Sequence, residues 1–185
     1  MSETKSLPVM LSVDEAVKFF SDHGAPSGSE LLLACIRLGR NQGPTFLADL
    51  EAEGLLTPEA AAMVVPSVWS AVEFPNRSLP AEVWRWLFQL AGYTIDGVPA
   101  GRPIGGLTLF RRSTRAARHG WSWTEDESLA EHFASGGLGG RATGRVWKVH
   151  APSESLLARI PAERPGESEY VVDTDGLAIT PRDLR

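Results

Sequence analysis

The stretch GESEYVVD, residues 166–173, sets Glu167 and Glu169 two positions apart, ahead of an apolar run. In a strand, residues i and i+2 point to one face, so this spacing puts two carboxylates side by side. Neighbouring like charges raise each other's pKa, which suits one of the pair to proton transfer. The plain alternative is a solvated pair on an edge strand, where charge discourages aggregation. A second concentration of chemistry is RRSTRAARHG, residues 111–120, with four arginines and His119. It reads equally as a solvated loop and as a surface that attracts phosphates or an anionic acceptor.

Other candidates carry less. SGGLGGRATG, residues 135–144, lacks the Gly-Lys-Ser/Thr ending of a P-loop and the Gly-x-Gly-x-x-Gly of a dinucleotide fold. It follows a helical pattern instead of opening one, so a mobile connection is expected there. The four histidines, at 23, 119, 132 and 150, have no metal-ligand spacing beside the single Cys35, and no metal is expected. Cys35 sits in the apolar run LLLACIRL and reads as a buried, inert thiol.

Two kinds of element must position these residues. From residue 12 to about 92 the pattern is helical. Ser12 and Thr57 stand as N-caps, Pro58 takes a first helical position, and Gly24, Gly39 and Gly92 fall near helix ends. Pro66 should kink or split the helix begun at Pro58. Trp84, Leu87 and Phe88 read as core. DGVPAGRPIGG, residues 96–106, is rich in glycine and proline and marks the boundary. Beyond it, GLTLFRRS (106–113) alternates as a strand, with Leu109, Arg111 and Ser113 on one face and Thr108, Phe110 and Arg112 on the other. A slip of one residue would exchange Arg111 for Arg112. GWSWT (120–124) reads as a short strand. TEDESLAEHFAS then reads as a helix, with Thr124 and Glu127 in capping-box spacing. GRVWKVHAP is a strand, SESLLARI a short helix or turn, and SEYVVDTDGLAIT one or two final strands.

The fold class is therefore α+β: a helical region over 1–95, and a compact unit over 104–185 against which the helices are expected to pack. Of the 185 residues, 43% are hydrophobic and 22% charged, which is the composition of a soluble globular chain. A net charge of −5 argues against a dedicated, strongly basic nucleic-acid binder. The N-terminal residues lack the pattern of a signal peptide, no apolar run is long enough to cross a membrane, and one cysteine fits a reducing cytosol.

Taken in order, LTLFRRS, GWSWTEDESLAEHFA, RVWKVHAPSESLLARI and ESEYVV resemble the ADP-ribosyltransferase family of the Arg-Ser-Glu class, in particular its bacterial and phage members. The resemblance spans roughly residues 104–180 and implies a small split β-sandwich core. It implies a toxin-like or phage-effector mono-ADP-ribosyltransferase that uses NAD as substrate, without a metal. Glu169 would stabilise the ribosyl cation, and Glu167 would contact the acceptor, where an acidic residue goes with arginine modification. Arg111 would bind the pyrophosphate or its adjoining ribose, and Ser122 would hydrogen-bond the ribose and orient Glu169 as part of the catalytic set. Thr124 stands for the second serine of the family's Ser-Thr-Ser motif, and with Phe110 and Trp123 it is implied to join Arg111 and Ser122 in binding the NAD. A protein acceptor is implied before a nucleic acid. NAD hydrolysis by water and a non-catalytic interaction module are the rival readings.

Overall fold

The computed structural model describes residues 12–134, 144–161 and 168–182, the side chains of 132–134 excepted. It is an α+β chain of two compact units, residues 1–92 with 97–99 and residues 93–96 with 100–185.

The first unit is helical because its caps and apolar faces agree. Helix α1 (Val13–His23) begins where the Ser12 hydroxyl accepts from the Glu15 N–H at 3.3 Å. Helix α2 (Gly28–Leu38) begins with a reciprocal capping box between Ser27 and Glu30. Helix α3 is Gly43–Ala52, and α4 (Pro58–Ala71) starts where Thr57 accepts from the Ala60 N–H. Of the kink or split expected at Pro66, the split does not occur: α4 runs through it. Its neighbours Val64, Val65, Val68 and Trp69 are all buried, and that packing offsets a cost of about 3 kcal/mol for an interior proline. A single turn, α5 (Pro75–Ser78), leads to α6 (Ala81–Ala91). Trp84 meets Trp69 edge-on at 5.0 Å and donates its indole N–H to the Pro75 carbonyl. Trp86, by contrast, is exposed and donates to Glu51. Among the described residues, no helix is long and apolar enough to cross a membrane.

Strand β1 (Thr94–Ile95) and strand β2 (Val98–Pro99) flank Asp96 and Gly97, whose φ angles of 54° and 71° are the left-handed pair of a tight turn. The second unit continues with β3 (Leu107–Ser113), β4 (Ser122–Trp123), α7 (Glu127–Ala134), β5 (Arg145–Ala151), β6 (Leu156–Ile160), β7 (Glu169–Val172) and β8 (Ile179–Pro181). In this unit one sheet has the order β1-β6-β7-β4, and the other β3-β5-β8. SESLLARI departs from the expected helix or turn. Only Ser153–Ser155 forms a 3₁₀ turn, and Leu156–Ile160 is strand β6, paired with β7. Leu156, Leu157 and Ala158 are consecutive and buried, which fits an inner strand covered on both faces and hides the alternation of a half-buried one.

Core packing in this unit joins Leu109, Trp147 and Val149 to Trp123, Tyr170, Val172 and Leu156. Trp123, Tyr170 and Arg159 lie opposite one another across β4, β7 and β6. The Arg159 guanidinium stacks over the Tyr170 ring at 5.9 Å, and the phenol donates to Glu125 at 2.9 Å.

Burial, then the hydrogen bond to Glu125, push the Tyr170 phenol up to about 12 from its ordinary 10. Its contribution to stability is therefore complete below pH 10 and is lost as pH rises to about 12. Thermal melts of wild type and Tyr170→Phe should differ by about 1 kcal/mol at neutral pH and converge over that window. In the helical unit, burial pushes the Cys35 thiol up to about 12. Thiol-reactive dyes at pH 8 should label it far more slowly in the native than in the urea-unfolded chain.

Candidate functional site

Alternation along β3 puts Arg111 on the face of Leu109, which is fully buried, with Phe110 and Arg112 on the other. Strands β3 and β4 meet at one bridge, where Phe110 and Thr124 exchange backbone hydrogen bonds of 2.8 and 2.9 Å. One residue further along β3, Arg111 Nη1 donates to the Ser122 carbonyl at 2.7 Å. Gly120 lies directly against the guanidinium: a Cβ there would fall 2.6 Å from Cζ and closer still to Nη2. The Arg111 Nε is buried and, among the described residues, has no hydrogen-bond partner.

Glu169 opens β7. Ser122 pairs with Val171 and Trp123 with Tyr170, so Ser122, Val171 and Glu169 share one face of the sheet. Carrying the register one residue further brings Thr124 opposite Glu169. The two charged groups also feel one another. Burial lowers the Arg111 pKa below its ordinary value, and the charge of Glu169 acts to raise it. Arg111 is thus bonded to the Ser122 main chain and lies near enough to Glu169 for that charge to act on it, whereas Arg112 projects from the opposite face of β3.

The remaining residues expected at the site fall in different places. Glu167 lies outside the described residues, as do residues 135–143 of the glycine-rich stretch. Trp123 was expected beside the cofactor, but its side chain is 2% exposed and packed in the core. Its indole N–H donates to the Gly120 carbonyl at 2.7 Å, so its part is to hold Gly120 against Arg111. Phe110 reaches the cluster through its backbone bridge to Thr124, since its ring leaves from the other face of β3. The Thr124 hydroxyl accepts from the Asp126 N–H at 3.1 Å. Asp126, not Thr124, caps α7: it accepts from the Leu129 N–H at 3.0 Å. Glu127 is committed to an ion pair with Arg182 instead of a capping box.

Gly120 went unnoticed in the sequence because its requirement comes from a side chain nine positions away. Among the described residues, no group of His, Cys, Asp and Glu could hold a metal ion. The donors and the carboxylate suit an anionic, hydroxyl-bearing ligand such as a nucleotide. Comparisons with family models, curated proteins and solved structures find no match for this chain.

Gly120→Ala should displace the guanidinium and destabilise the chain by about 1–3 kcal/mol, the usual range for overpacking. Gly101→Ala, where the new Cβ meets nothing within 4 Å, should be near neutral. Chemical denaturation of the two variants checks the contrast, and equal losses would remove the special status of Gly120.

Proposed function

We propose that this chain is a mono-ADP-ribosyltransferase that moves ADP-ribose from NAD to a macromolecular acceptor. The observation that carries the reading is the Arg111 guanidinium, which spends one N–H on the Ser122 carbonyl, keeps Nε unpartnered, and sits in the field of Glu169. A buried donor without a partner costs free energy, and a local opening that lets a phosphate or ribose oxygen reach it would recover that cost.

The chemistry follows from the charges. The bond between the nicotinamide nitrogen and ribose C1′ breaks, nicotinamide leaves with the electron pair, and the ribose becomes an oxocarbenium-like cation. Glu169 opposes that cation and stabilises it more than the neutral sugar, which lowers the barrier. The Ser122 hydroxyl, on the same face of the sheet, hydrogen-bonds the ribose, and Thr124 borders it. Arg111 holds the pyrophosphate end. The acceptor's nucleophile forms the new bond to C1′ and gives up a proton, for which the sequence resemblance supplies Glu167.

Release of nicotinamide from NAD, with and without a cell lysate as acceptor source, tests the reading. Wild type should release it, and Glu169→Gln should be slower by about 10²-fold or more, as expected for a group that stabilises transition-state charge. Label from the adenosine part of NAD should end covalently on a macromolecule. Free ADP-ribose as the sole product would make the chain a glycohydrolase, and no release together with no NAD binding would leave a non-catalytic module.

A further inference from the structure

The turn that joins β3 to β4 carries charge that the reaction above does not use. From Leu107 to Thr124 the chain contains Arg111, Arg112, Arg115, Arg118 and His119, and no carboxylate. The acidity of the protein lies elsewhere: residues 1–99 hold twelve Asp and Glu against six Lys and Arg, and residues 100–185 hold eleven against twelve. The turn is built, not loose. The Ala117 N–H donates to the Thr114 carbonyl, and the Gly120 N–H to the Ala117 carbonyl. Arg118 Nη1 donates to the Arg115 carbonyl at 2.9 Å, and the Thr174 hydroxyl pins the His119 carbonyl at 2.6 Å. Asp173 and Asp175 flank that last contact and mark the edge of the basic surface. At its tip, among the described residues, neither Arg115 nor Arg118 has a carboxylate partner.

We propose that this turn docks the phosphate backbone of a single-stranded nucleic acid, and that nucleic acid is the acceptor presented to the site. Position argues for the acceptor: the turn runs directly from the strand of Arg111 to the strand of Ser122. Chemistry argues for phosphate. Guanidinium forks match phosphate oxygens bidentately, and a polyanion meets the exposed Arg115 and the anchored Arg118 whatever its base sequence. A protein partner of this size of surface would need a large apolar or aromatic anchor, and the uncharged residues of the turn are Thr114, Ala116, Ala117, Gly120 and Trp121, whose ring is buried. Among the described residues of the turn, no helix or ribbon stands to enter a duplex groove, and a single strand offers its phosphates without one. The acceptor role rests on the ADP-ribosyltransferase reading; the docking itself does not.

Fluorescence anisotropy with a labelled single-stranded 12-nucleotide DNA, in the absence of NAD, tests docking alone. Wild type should bind with an affinity that falls with salt at a log–log slope of about −1.4, for two phosphates neutralised. The Arg115→Ala/Arg118→Ala double variant should bind about tenfold more weakly with a flatter slope, and its nicotinamide release into water should be unchanged. No binding, equal binding by the double variant, or equal displacement by polyglutamate at matched charge would overturn the docking. With labelled NAD, wild type should mark the oligonucleotide; label found only on lysate proteins would overturn the acceptor role. Because binding is read without NAD, its outcome and that of the nicotinamide assay can fail separately.

Discussion

Everything at the candidate site is arranged around one half-buried cation. Arg111 projects from β3 into the end of the core and reaches the main chain of β4, where its Nη1 holds the Ser122 carbonyl. Taking a guanidinium out of water is expensive, and the surroundings return part of that cost through the Ser122 carbonyl and the charge of Glu169. The neighbours are chosen accordingly. Gly120 has no side chain because the guanidinium occupies that space, and the buried Trp123 indole fixes Gly120 by its carbonyl. Removing the cation would therefore loosen the seam between β3 and β4 as well as empty the site.

The same seam gives the sheets their usefulness. β3 and β4 touch at the Phe110–Thr124 bridge and otherwise belong to different sheets. On β7 the alternation turns Tyr170 into the core and Glu169 to the face of Ser122. A register slip of one residue would exchange them, and the row of Trp123, Tyr170 and Arg159 across three strands resists that slip. Packing on one face thus determines which carboxylate is displayed on the other.

Much of this was legible in the residues. Strict alternation in LTLFRRS placed Arg111 with Leu109, and cap residues such as Ser12 and Thr57 marked helix starts that the hydrogen bonds repeat. What was not legible depended on partners distant in sequence. β6 is covered on both faces, so LLA carries no period, and only its pairing with β7 makes it a strand. Pro66 reads as a helix breaker until the buried valines around it are counted. The cap of α7 moved to Asp126 because Thr124 is drawn into the bridge with Phe110 and Glu127 into the pair with Arg182. The Asp96-Gly97 turn had a local signal, masked by its place in a stretch that read as a linker.

The central claim is that Arg111 and Glu169 form a nucleotide site, and the buried Nε of Arg111 is its most direct reporter. Nitrogen-15 NMR of the arginine Nε–H groups, assigned with Arg111→Lys, would be followed as NAD is added. The account predicts a saturable downfield shift of the Arg111 resonance as a phosphate or ribose oxygen reaches the guanidinium. An Arg111 signal that stays fixed while NAD binds elsewhere, or no binding at all, would contradict it.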